Sequence, residues 1–136
     1  MTSALQASER AKPGSSVIGW KLDRAERKEL LRRFPPKFKE AIADHVTLEA
    51  KVARSAELPE EREGEIVGRA EDGSGVEAMV VRIGGTTDRP DGSTYHITWS
   101  LGPGRKAVES NDVIAKHGWI PIEPPIAIRL EPQRFP

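Results

Sequence analysis

Two short stretches of the chain alternate apolar and polar side chains with a period of two. In Tyr95-His96-Ile97-Thr98-Trp99-Ser100, a strand puts Tyr95, Ile97 and Trp99 on one face and His96, Thr98 and Ser100 on the other. In His45-Val46-Thr47-Leu48 the same period separates Val46 and Leu48 from His45 and Thr47. Each stretch therefore has one side fit for a core and another carrying an imidazole and hydroxyls.

The pattern along the rest of the chain predicts a mixture of strands and short helices. Val17 to Leu22 reads as a strand with Ile18, Trp20 and Leu22 on one face. Asp23 followed by Glu26 forms a capping-box-like start for a helix from Arg24 to about Arg33, with Leu30, Leu31 and Phe34 as its apolar stripe. Its basic residues, Arg24, Arg27, Lys28, Arg32 and Arg33, read as a solvated face. Pro35-Pro36 stops this helix, and Phe38 with Ile42, spaced i and i+4, suggests a further helical turn before Asp44. The charged stretch Ser55 to Glu65 reads as a loop. A hairpin follows, with strands Ile66–Ala70 and Val76–Ile83 about a turn at Glu71–Gly75.

Arg89-Pro90-Asp91-Gly92 fits a type I turn inside the loop 84–94. The strand 95–101 emerges from that loop and is expected to pair antiparallel with the strand before it. Ser110, Asn111 or Asp112 could cap a short helix ending near His117-Gly118, where His117 reads as structural. Trp119–Ile122 and Ile126–Leu130 read as closing strands, with their prolines favouring a sheet edge. The polar, small-residue-rich segment 1–16 reads as a flexible leader, and 17–136 as one domain.

Composition narrows the chemistry. The chain has 136 residues with 21 basic and 21 acidic side chains, so no net field recruits a long polynucleotide. A short end, a nucleotide or a small phosphodiester fits better. Cysteine is absent, which excludes disulfides and thiolate chemistry and suits a reducing cytoplasm. No apolar run approaches the roughly 20 residues needed to span a bilayer, so a cytoplasmic protein with no membrane partner is expected. No zinc motif, phosphate loop or nucleophile elbow is present, and no metal or cofactor is expected. A monomer is expected.

Two of the chain's three histidines open an H-x-T triplet, His45-Val46-Thr47 and His96-Ile97-Thr98. Either one alone is adequately read as an ordinary strand histidine; the pair points to a site. Histidine can accept or donate a proton near neutral pH, and the threonine hydroxyls can hold nonbridging phosphate oxygens. The paired triplets, each on a strand, resemble those of the 2H phosphoesterase superfamily, which includes 2′,3′-cyclic nucleotide phosphodiesterases and bacterial RNA 2′,5′ ligases. The resemblance implies an α+β, compact bilobal fold, with antiparallel sheets lining a central cleft and helices outside. It also implies metal-independent cleavage of 2′,3′-cyclic phosphate or 2′,5′ linkages in RNA ends or nucleotides, with His45 and His96 as general acid and base. Thr47 and Thr98 would bind phosphate, and Ser100, on the face of His96, could add a donor. The triplets lie closer together than in larger members, so one lobe would be trimmed. The alternative is a non-catalytic nucleotide or RNA-end binding module with the same cleft. Tyr95 and Trp99, pointing away from the histidines, are expected in the core rather than stacked on a base.

Overall fold

A computed structural model describes residues 3–10 and 13–135. Its elements in chain order are α1 (Ala4–Arg10), β1 (Pro13–Leu22), α2 (Arg24–Arg33), β2 (Glu40–Ala41), β3 (His45–Val52), β4 (Glu63–Glu71), β5 (Val76–Arg82), β6 (His96–Leu101), α3 (Glu109–His117) and β7 (Ile120–Phe135). The protein is an α+β domain, mostly antiparallel sheet with few helices. The sheet runs β2-β6-β3-β1-β7-β4-β5, and β5 pairs back onto β6, so the strands close into a ring. No helix among the described residues is long and apolar enough to cross a membrane.

One strand holds the ring together. The first part of β7 pairs with β4, from Ile120 opposite Arg69 to Arg129 opposite Glu63. Its last part pairs with β1, from Leu130 opposite Leu22 to Phe135 opposite Val17. The strands thus group as β3-β1-β7 on one side and β7-β4-β5-β6 on the other. Where the two groups meet again, β3 and β6 share a single pair, Val46 opposite Ile97. That seam is splayed, and it carries both triplets.

The core follows the alternation read from the sequence. Ile18, Trp20, Val46, Leu48, Met79, Val81, Ile97 and Trp99 all pack into one apolar cluster. Trp20 and Trp99 are fully buried, and each indole N–H finds a carbonyl, on Glu61 and Phe34 respectively, at 2.8 and 2.9 Å. Tyr95 packs edge-on against Trp20 at 5.8 Å. Burial pushes its phenol up to about 12, with the Glu61 carboxylate adding to the shift, so it stays neutral.

Several expectations need correction. Within the expected leader, Ala4–Arg10 is helical and the first strand already begins at Pro13. Ala4 and Ala7 belong to the core, and the Ala4 N–H donates to Glu61 Oε1 at 2.8 Å. Small side chains let this helix sit close to the barrel, which composition alone reads as disorder. Residues 1, 2, 11, 12 and 136 lie outside the described residues. The turn expected at Phe38–Ile42 is not helical: Glu40–Ala41 adds a short strand to the end of β6. The loop expected up to Glu65 ends sooner, because β4 starts at Glu63.

The closing strands are one, and β7 lies inside the sheet rather than at an edge. Between the pairs Ile66–Ile126 and Gly68–Pro121 the register slips, so Ile122 to Pro125 face only Val67. This bulge removes Pro124 and Pro125 from the ladder, where their missing N–H would leave a gap. Of the box at α2, half forms: Asp23 accepts from the Glu26 N–H at 3.0 Å, while Glu26 turns to the Arg129 N–H at 2.7 Å.

Gly19 fixes how closely β1 can approach β3. A Cβ at this position would lie 2.2 Å from the Val46 carbonyl oxygen, which is backbone and cannot rotate away. Gly19→Ala must therefore push β1 off the strand that carries His45 and Thr47. The expected result is a loss of about 1–3 kcal/mol, measured as a lower urea midpoint. Gly68→Ala provides the contrast, since its obstacle is the side chain of Trp119, which is partly exposed and can move. A smaller loss is expected there.

Candidate active site

The splayed seam opens into a cleft of about 430 Å³. His45, Thr47, His96 and Thr98 all line it, together with Asp44, Arg89 and Asn111 on the polar side and Val108 and Phe135 on the apolar side. Val46 and Ile97, opposite one another, both point into the core. Beyond that pair the strands part, and the Ala43 N–H, not a group of His45, donates to the Thr98 carbonyl at 2.9 Å. The four residues named from the triplets are nevertheless brought to one cavity, two from each side of the seam.

Each imidazole is oriented through its Nδ1. His96 Nδ1 lies 2.9 Å from the Thr94 carbonyl oxygen, which can only accept, so the proton is on Nδ1 and the Nε2 lone pair is left for the cleft. Burial lowers the proton affinity of His96 below the ordinary 6.5. The positive charges of Arg89 and His45 act in the same direction, against the opposing effect of the Thr94 hydrogen bond. His45 Nδ1 lies 3.1 Å from Asp44 Oδ2, so here the partner is a carboxylate. The His45 ring also packs on Phe135, centroid to centroid 4.8 Å.

Asp44 is itself tightly held. Burial alone would raise its carboxyl, but the His45 hydrogen bond and the charges of Lys21 and Arg24 bring it below the usual range. Arg24 Nη1 is 3.2 Å from Asp44 Oδ1 and Lys21 Nζ is 3.8 Å away. The backbone before it is held as well. Arg24 donates to the Asp44 carbonyl, and Arg27 donates to the carbonyls of Ala43 and Ile42, each at 2.9 Å. Ala43 is buried with φ 42°, a left-handed conformation that costs an alanine of order 1 kcal/mol or more. Two arginines read from the sequence as part of a solvated face therefore hold the strained turn that delivers His45.

The hydroxyls differ. Thr98 is largely buried; its Oγ1 is 3.3 Å from the Ala107 carbonyl and 2.9 Å from Ser110 Oγ. Donation from Thr98 to a phosphate would accordingly use a rotation of the hydroxyl, with Ser110 supplying the proton to Thr98 in exchange. Thr47 contributes its carbonyl as an acceptor for Arg89 Nη1 at 3.2 Å.

Ser100 is not part of the site. It is fully buried beyond the cleft, where its hydroxyl donates to Glu77 Oε1 at 2.6 Å and accepts from the Phe38 N–H at 3.2 Å. It does not share the face of His96, as alternation alone would have it: the register slips between the pairs Ala78–Thr98 and Glu77–Ser100, and this bulge turns Ser100 to the side of Glu77 and Met79, while His96 and Thr98 stay on the side of Val80 and Ala78. Tyr95 and Trp99 are core residues, and His117 ends α3 away from the cleft. None of Ser110, Asn111 and Asp112 caps α3: the helix starts at Glu109 after Val108, with no side-chain cap. Ser110 and Asn111 turn instead toward Thr98 and Arg89.

The sequence reading missed Asp44, Arg89 and Asn111. Asp44 precedes His45 and would fall on the opposite face of a regular strand, but the turn at Ala43 brings it alongside. Arg89 was visible only as the first residue of a turn. That turn forms, with the Gly92 N–H donating to the Arg89 carbonyl at 2.9 Å, while the side chain reaches back across the seam.

No family model, curated protein or solved structure matches this chain. Among the described residues no three His, Cys, Asp or Glu side chains are gathered as metal ligands.

Proposed function

We propose that the protein is a 2H-type phosphodiesterase that cleaves 2′,3′-cyclic phosphate or 2′,5′ linkages in nucleotides or RNA ends. The observation that carries this reading is the shared cleft: two H-x-T triplets, distant in sequence, line one cavity from the two sides of a splayed seam. The grouping of strands on either side of that seam, bridged by β7, also supports the bilobal 2H arrangement in a reduced form.

The environments of the two rings assign their roles. His96, favoured as the neutral ring with Nε2 unprotonated, takes the proton from the attacking water. His45, next to the Asp44 carboxylate, gives a proton to the departing ribose oxygen. Water oxygen bonds to phosphorus, one ribose P–O bond breaks, and a phosphomonoester results. Thr47 and Thr98 bind the nonbridging oxygens, where the developing charge resides. Neutral overall charge and a cleft of this size suit a nucleotide or a chain end rather than an extended strand.

The test offers 2′,3′-cyclic nucleotides and 2′,5′-linked dinucleotides to the protein in the presence of a chelator. Cleavage that persists is expected, with product resolved by chromatography. A wild-type protein that cleaves none of them, with or without added divalent cations, is not a phosphodiesterase of this type.

A further inference from the structure

The loop 84–94 brings to the cleft a charge that the triplets do not supply. Because β3 and β6 share only one pair, the Thr47 carbonyl has no ladder partner on β6 and accepts from Arg89 Nη1 instead. Arg89 Nε donates to Ser93 Oγ at 2.6 Å, and Nη2 donates to Asn111 Oδ1 at 3.3 Å. The guanidinium is thus held from β3, from α3 and from its own loop, and its side chain is only 10 % exposed although it lines the cleft. All three of these partners are neutral. They fix the orientation of the fork without cancelling its charge.

One carboxylate does face it. Asp91 Oδ2 lies 3.5 Å from Arg89 Nη2, longer than a good hydrogen bond, and its side chain is 48 % exposed. Asp91 Oδ1 accepts from the Ser93 N–H at 2.9 Å and from the Ser93 hydroxyl at 2.6 Å, so that oxygen is anchored independently of Arg89. The ion pair is the outermost and loosest contact of an otherwise fixed guanidinium. The cleft lining also includes the acidic side chains of Asp44 and Glu49. A phosphate entering it gains from a cation that is aimed but weakly occupied.

We infer that Arg89 is the phosphate-binding cation of the cleft, and that Asp91 is its resident counter-ion, yielding Oδ2 to the incoming phosphate. Ser93 and Asn111 are positioning residues for the guanidinium. This rests on the phosphodiesterase reading for the nature of the ligand, but it does not require turnover. Exchange at Asp91 leaves its anchor to Ser93 and the turn 89–92 in place, so binding needs no rearrangement of the sheet.

The probe is inorganic phosphate, titrated into the full chain at constant ionic strength. Binding is followed by the Arg89 Nε–H and His96 resonances in ¹H–¹⁵N spectra. Arg89→Lys keeps a charge but loses the fork, and is expected to weaken binding by roughly 10- to 100-fold. In that variant the His96 resonances and a competition titration report the affinity. Asp91→Asn keeps the acceptor for Ser93 but removes the counter-ion, and is expected to tighten binding by about two- to fivefold. Arg89→Met should bind more weakly still; if it does not fold, the other two variants decide. Unchanged affinity in both Arg89→Lys and Asp91→Asn overturns the inference, as does a wild-type protein that does not bind phosphate. If phosphate binding depends on Arg89 while no cyclic nucleotide is cleaved, the enzymatic reading fails and this one stands. If cleavage is intact and neither variant moves the affinity, the reverse holds.

Discussion

Alanine at either His45 or His96 is expected to lower turnover of a 2′,3′-cyclic nucleotide by about 10²–10⁴-fold, with the fold retained. The expectation of an intact fold comes from where the rings lie. Both are only partly buried and face the cleft, while Val46 and Ile97 beside them carry the core contacts. The double variant should lose little more than the poorer single variant, because proton removal and proton donation act in one displacement. Circular dichroism and unfolding midpoints within about 1 kcal/mol of wild type would show that the loss is chemical. A single variant that keeps more than about a tenth of the activity would remove that histidine from the mechanism.

The electrostatics of His96 add a pH dependence with a definite sign. Burial first, then Arg89 and His45, hold its proton affinity below 6.5. A base must be neutral, so the acid limb attributable to His96 should lie below the ordinary histidine value and not above it. The same shift is linked to stability. The unfolded ring takes up its proton at higher pH than the folded one. The stabilising contribution is therefore complete above about 6.5, and it is lost as pH falls through the unfolded and then the folded value. Replacing His96 with Gln should flatten the stability profile over that window, and this can be followed by thermal melts from pH 7.5 down to 5.

What could be read from the sequence was what depends on alternation within one strand. Trp20, Val46, Ile97 and Trp99 were assigned to the core, and His45, Thr47, His96 and Thr98 to an opposing face, because a period of two settles both without knowing any neighbour. Ser100 shows where that logic stops. A bulge between Thr98 and Ser100 reverses its parity and turns it toward Glu77, and no property of the strand's own residues reveals that slip. Arg89 and Asn111 were missed for a related reason: their side chains act across a seam that exists only because β3 and β6 splay. Asp44 was hidden by a left-handed alanine, a conformation that the sequence does not advertise. Helix α1 escaped because a short run of small residues has the composition of a linker, and only Ala4 and Ala7 meeting the core distinguishes it.

The network that captures Ser100 leads to the largest stability effect expected in this protein. Glu77, on β5, has no exposed surface, and yet its carboxylate is fully engaged. Oε2 accepts from Arg69 through both Nε, at 2.7 Å, and Nη2, while Oε1 accepts from the Ser100 hydroxyl at 2.6 Å and the Lys37 N–H at 3.0 Å. One side chain thus joins β4, β6 and the segment after Pro36 that leads through β2 to the His45 strand. Glu77→Ala would leave a buried hydroxyl, a backbone N–H and the Arg69 guanidinium, whose side chain is 26 % exposed, without their partner. The expected loss is about 3–5 kcal/mol, which for a domain of this size lowers the melting temperature by roughly 10–25 °C. Glu77→Gln keeps the shape and some of the acceptors, and should lose less. Ser100→Ala removes only one neutral donor and should cost about 1–2 kcal/mol, without changing phosphate affinity. The decisive comparison is Glu77→Leu with Arg69→Met. If the penalty in Glu77→Ala comes from the arginine charge left without its partner, removing both ions together must recover much of it. A double variant as unstable as the sum of its singles would mean that Glu77 and Arg69 are not coupled, and that the loss in Glu77→Ala comes from its other partners, Ser100 and the Lys37 N–H.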